Sequence, residues 1–159
     1  MAASRISGSR PERREGSALL FLVFQVGSDG YALAANRIIE VLPLVELRKI
    51  RGAPREVAGS MNYRGTFIPV IDLCQLDLGR PASPRMGTRI ILVGFTAKGR
   101  DMMLGLIAES ATETLRCDPR AFTPFADGPR GLVQRLDPDV LLPVGLFDLL
   151  FDQPEALAG

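Results

Sequence analysis

The stretch "MNYRGTFIPVIDL" (residues 61–73) decides how this chain is read. Two strand-like segments meet at Arg64-Gly65, and the second is almost wholly apolar. Gly65 allows a tight turn with positive φ, so a hairpin is expected with an arginine at its tip. Pro69 carries no N–H for a β-ladder, which places its strand at a sheet edge or at a bulge. A segment that only fills a core needs neither residue. Arg64 is open to two readings: an ordinary surface arginine, or a docking point for a forked, charge-assisted contact with a carboxylate.

Outward from this hairpin the chain keeps one rhythm. Short apolar runs alternate with turn signals about every ten residues. "LLFLVFQV" (19–26) is apolar on both faces except at Gln25 and suits a strand covered on both sides. "GSDG" (27–30) is an Asp-Gly hairpin signal leading into "YALAA" (31–35). Further strands are expected at 38–42, 57–63, 66–72, 88–95, 102–108, 112–116, 131–136 and 140–144. "TAKGRD" (96–101) reads as a hairpin loop, while 78–88 and the proline-broken "DPRAFTPFADGPR" (118–130) read as longer loops. Asp72 is placed to cap a short helical turn at 73–77, and "LFDLLF" (146–151) has helical spacing. About ten strands with sixteen glycines and twelve prolines give an all-β chain and exclude a helical fold. Periodicity alone does not choose between one sandwich and two small barrels.

Composition narrows the function. The 159 residues suffice for one ordinary domain or two small subdomains. A net charge of +1, with the arginines scattered, argues against nucleic-acid binding through massed cations. The chain has no histidine, which removes imidazole acid–base chemistry, Ser-His-Asp triads and histidine metal sites. Cys74 and Cys117 lie far apart with no CxxC, too few soft ligands for zinc, and are expected as reduced thiols. No phosphate loop occurs, since "GFTAKGRD" lacks the required spacing, and Asp137 and Asp139 in "LDPDV" form a plain turn signal. No enzyme, cofactor or metal site can be assembled from these residues. Residues 1–17 hold one large apolar residue, Ile6, and are expected to be a disordered tail rather than a secretory signal. A soluble, cytoplasmic protein without a membrane span is expected, with a folded domain at 18–152 and a short tail at 153–159.

In "NRIIEVLP" (36–43), Ile38, Glu40 and Leu42 share one face of a strand, and Ile39 and Val41 the other. Burying an unpaired carboxylate is costly, so the Ile39/Val41 face is expected to meet the core. Glu40 would then point outward between Ile38 and Leu42, as a solvated edge or as a docking patch.

The order of these motifs resembles the CheW-like domain family. The resemblance runs from "FLVFQVGSDGYALAANRIIEVLP" through "VAGSMNYRGTFIPVIDL" to "RIILVGF…MMLGLIAESATETL" and a terminal leucine helix, about residues 19–151. Its most specific part is Asn-x-Arg-Gly followed by Pro-Val-x-Asp-Leu. "ATETLRC" (111–117) is similar to the adaptors of Wsp-type surface-sensing pathways. The resemblance implies two five-stranded SH3-like β-barrel subdomains around a shared core, with short helices including one near the C-terminus. It also implies a non-enzymatic adaptor that joins the helical tip of a methyl-accepting chemoreceptor to the regulatory domain of a CheA-type histidine kinase. Such an adaptor works in the cytoplasm at membrane-bound receptor arrays, with no membrane insertion of its own and no cofactor. Receptor contacts carried over by motif fall on Ile38, Glu40, Gly59 and Arg64, with Leu42 and Tyr63 as their immediate neighbours. Departures from the usual pattern are Tyr63 in place of an aliphatic residue, Glu109 and Ala111 in place of an aspartate and a valine, and Pro143 in the expected last strand. The alternatives are a CheW-like scaffold that bridges receptors without regulating the kinase, and a small SH3-like nucleic-acid or ligand binder. Balanced charge and the lack of tryptophan weigh against the last.

Overall fold

The computed structural model describes residues 17–151. The tails expected at 1–17 and 153–159 therefore lie, but for Ser17, outside the described residues. Nine strands form two five-stranded sheets, because one long strand serves both. The first sheet is built from β1 (Leu19–Val26), β2 (Asp29–Ala34), β8 (Phe125–Gly128), β9 (Gly131–Arg135) and the C-terminal half of β7 (Arg100–Cys117). The second holds β3 (Ile38–Pro43), β4 (Val57–Tyr63), β5 (Thr66–Asp72), β6 (Arg89–Ala97) and the N-terminal half of β7.

The apolar runs follow from burial on both faces. On β1, Phe21 and Val23 fill the core of the first sheet, whereas Phe24 and Val26 face the shared core between the sheets. β6 behaves alike, with Ile91 and Val93 in the shared core and Ile90 in the second sheet's own core. Helix α2 (Val144–Phe151) closes the shared core with Leu146 and Leu150. Helix α1 (Leu73–Leu78) adds Leu73 and Cys74. Asp72 caps α1 as expected: its Oδ1 accepts from the N–H of Cys74 (2.9 Å) and Gln75 (3.3 Å).

Four expectations are corrected. Residues 102–108 and 112–116 are one strand of 18 residues. The break read between them is a bulge, with Ser110 at φ +49° and a register shift opposite Val23–Gln25. Residues 140–144 form no strand, because Pro143 lacks a ladder donor and its carbonyl instead accepts the first helical N–H, from Phe147. The loop at 118–130 hides β8, four residues between Pro124 and Pro129 that pair with β9. The first hairpin turns at Gly27-Ser28 rather than Asp29-Gly30, with Val26 opposite Asp29. Gly30 lies inside β2, where a Cβ would sit 2.9 Å from the Leu132 carbonyl.

Candidate docking seam

The second sheet ends in two unjoined edges. β3 pairs only with β6, and β4 only with β5, so no ladder links β3 to β4. β7 pairs with β5 only from Val70 onward. Thr66–Pro69 therefore extend past that ladder, and Pro69 stands where the missing donor is not needed. Its strand is thus an edge for half its length and central for the rest.

The β4–β5 tip is fixed by its own sequence. Tyr63 pairs with Thr66, leaving a two-residue turn with Arg64 at φ +52° and Gly65 at φ +88°. Two positive φ values suit a type I′ hairpin. Asn62 Oδ1 accepts the Gly65 N–H at 2.8 Å and holds the turn. Glycine or asparagine would occupy the first position without strain; an arginine there costs about 1–2 kcal/mol. Its side chain is exposed.

Across the gap, Tyr63 Oη donates to Glu40 Oε1 at 2.6 Å, bridging β4 to β3. The Arg64 guanidinium lies 5.2 Å from the centre of the Tyr63 ring, within cation–π range. The bond to Glu40 is the main reason the Tyr63 hydroxyl titrates above its ordinary value. Two apolar grooves flank the bridge. One, about 750 Å³, runs past Ile38, Ile39, Phe67, Met102 and Met103. The other, about 610 Å³, runs past Leu42, Val45, Met61 and Phe67.

Three of the six sequence candidates, Glu40, Tyr63 and Arg64, thus come together at the surface. The other three do not. Ile38 packs against the shared core and Leu42 against the second sheet's own core. The face assignment of β3 is therefore inverted: Ile39 is 46% exposed and Val41 39%. Glu40 tolerates the inner face because Tyr63 satisfies it at the open seam, and a register shift at Ile39 bends the strand there. Gly59 is buried, at φ +148°, and a Cβ would stand 2.6 Å from the Arg48 carbonyl. It lets residues 47–48 cross β4, where Arg48 and Ser60 exchange both backbone bonds (2.9 and 2.7 Å). Sequence reasoning missed Ile39, Val41 and Phe67 (48% exposed). For Phe67 the signal was Pro69, which marks the residues before it as lying beyond the ladder.

Among the described residues no catalytic constellation competes with the seam. Asp137 and Asp139 both pair with Arg37, at 3.7 and 2.5 Å, and Asp137 caps the turn at Pro138–Val140. The Arg37 bond holds the Asp139 carboxyl below the usual carboxylate range. Cys74 and Cys117 are free, and burial pushes both thiols up, away from the nucleophilic thiolate. Among the described residues no cluster of acidic or thiol side chains could hold a metal, and no helix is long and apolar enough to cross a membrane.

The CheW-like domain profile matches residues 20–136, most of the chain. The chain belongs to the CheW-like domain family. It is 29% identical over 111 residues to the chemotaxis protein CheW of Helicobacter pylori, a match covering 69% of this chain and 64% of that protein. With the chemotaxis protein CheW of Klebsiella aerogenes it shares 23% over 95 residues, covering 60% of this chain and 55% of that protein. The chain thus spans less than two thirds of either relative's length. The crystal structure of the scaffolding protein TtCheW from Thermoanaerobacter tengcongensis superposes with a TM-score of 0.68 at 24% identity, over 80% of this chain and 90% of that one. The two five-stranded units are accordingly the SH3-like β-barrel subdomains of the CheW-like fold, and β7 is the strand they share. This family is one of chemotaxis scaffolds and adaptors, not of enzymes.

Proposed function

We propose that this chain is a chemosensory adaptor that holds the helical tip of a methyl-accepting chemoreceptor against the regulatory domain of a CheA-type histidine kinase. In this reading it works in the cytoplasm at receptor arrays. The receptor tip lies along the seam, contacting Glu40, Tyr63 and Arg64, with Ile39, Val41 and Phe67 adding apolar area. Ile38, Leu42 and Gly59 shape that surface from beneath.

The observation that carries the proposal is Arg64, an exposed arginine held at φ +52° in a turn that other residues would form with less strain. Strain retained at a surface position points to a use for the side chain. Flanking aliphatic and aromatic groups would supply most of the affinity, while the charges set register and partner choice. Signal transmission requires that the adaptor bind the active and inactive arrangements of the complex with different affinities.

The test is a pull-down from native lysate with wild type and Arg64→Glu as baits. Wild type is expected to recover a chemoreceptor and a histidine kinase, and Arg64→Glu to lose the receptor alone. Recovery of receptor without kinase by the wild type would make the chain an array-bridging scaffold instead. Recovery of neither by folded bait would contradict the adaptor role.

A further inference from the structure

Two contacts give Tyr63 a distinct task. The hydroxyl end donates to Glu40 at 2.6 Å, while the ring face lies under the Arg64 guanidinium at 5.2 Å. Among the described residues, neither Glu40 nor Arg64 forms an ion pair. A half-buried glutamate on β3 and an exposed arginine in the β4–β5 turn would otherwise be free to neutralise each other. Tyr63 engages both, Glu40 at its hydroxyl and Arg64 at its ring face.

We propose that Tyr63 is a positioning residue that keeps Glu40 and Arg64 as a separated acceptor and donor, ready for one face of a partner helix. A carboxylate has about four lone-pair sites, so the single bond from Tyr63 leaves Glu40 able to accept from a partner. Arg64, engaged only through the ring face of Tyr63, keeps its forked N–H groups for a carboxylate. The contacts through Tyr63 hold the two charges within roughly two helical turns, about 11 Å, of each other. The partner helix therefore presents a carboxylate to Arg64 and an N–H or O–H donor to Glu40 on the same face. Donation to a carboxylate also enriches the phenol ring, so the two contacts reinforce each other. This inference rests on the adaptor reading above.

The probe is a labelled helical-hairpin fragment of the cytoplasmic tip of a chemoreceptor from the same organism, titrated by fluorescence anisotropy. Tyr63→Phe keeps the ring and removes the bond; it is expected to weaken binding about tenfold, the effect of one bond to a charged group. Glu40→Gln is expected to weaken binding similarly, and the double variant no more than the worse single one, because the two act as a unit. A readout independent of the partner is alkaline absorbance titration, with the Tyr63 curve taken as wild type minus Tyr63→Phe. That curve should fall toward the ordinary phenol range in Glu40→Gln. Replacing the fragment's acidic residues one by one with lysine should restore binding to Arg64→Glu at one position, and no restoration anywhere would overturn the carboxylate pairing. If Tyr63→Phe binds as wild type while Arg64→Glu loses the fragment, the positioning role is wrong and the adaptor reading stands. If neither variant alters binding to folded protein, both are wrong.

Discussion

Glu109 and Glu40 are both half-buried strand carboxylates, and they are used in opposite ways. Glu109 accepts from the N–H of Ser83 (2.7 Å) and Gly27 (3.3 Å) and from Arg80 (3.4 Å), tying the loop after α1 to the first hairpin. Burial would raise its pKa, but these donors outweigh burial and hold the carboxyl below the ordinary value near 4.5. Asp72 is committed in the same manner, with Oδ2 taking the Ala82 N–H at 2.9 Å. Glu40 has one side-chain bond, from Tyr63, at a seam no ladder closes. Glu109 and Asp72, on the ladder-closed side of the molecule, are filled by backbone donors and serve the fold. The carboxylate on the open side keeps capacity for another molecule.

The largest test of this contrast is Gly59→Ala. The added Cβ meets backbone at 2.6 Å with φ at +148°, so a loss of about 3 kcal/mol or more is expected in chemical denaturation. A near-neutral result would return Gly59 to the docking surface. Asp72→Ala follows, at about 2–3 kcal/mol, because three backbone N–H groups lose their acceptor. On β3, Ile38→Ala should cost about 2 kcal/mol and Ile39→Ala under about 1, measured as paired urea melts. Equal costs would undo the face assignment. The stabilising bonds of Glu109 belong to its ionised form, which is fully present above the ordinary carboxylate range. The stability gap between wild type and Glu109→Gln should therefore be open at pH 7 and close as pH falls below about 4.5. A gap that persisted at pH 3 would show that shape, not charge, matters there. The smallest effect is a gain: Arg64→Asn relieves the strained turn and should raise stability by about 1 kcal/mol while weakening partner binding.

Much of the fold could be read in advance where local chemistry leaves one choice. The Arg64-Gly65 turn, the Asp72 cap and the two-faced burial of β1 each follow from residue type and spacing. What could not be read depended on distant partners. The continuity of β7 through Ser110 needs β1 and the Gly87 carbonyl, which takes the Ala111 N–H. β8 is four residues among prolines and exists because β9 pairs with it. The candidate seam was half legible. Glu40, Tyr63 and Arg64 were singled out, but the cost of burying Glu40 was weighed without knowing that Tyr63 would reach it. That one hydrogen bond, between residues 23 apart in sequence, reversed which side of β3 faces outward.

In the proposed complex the open seam, and not the closed side around Asp72 and Glu109, receives the partner. The most direct measurement is an amide NMR titration of the 15N-labelled protein with the chemoreceptor tip fragment. The signals of residues 39–45 and 61–67 should shift together and saturate, while those of 72–82 and 105–109 stay in place. Saturable shifts confined to 72–82 and 105–109, with the seam unmoved, would contradict the account.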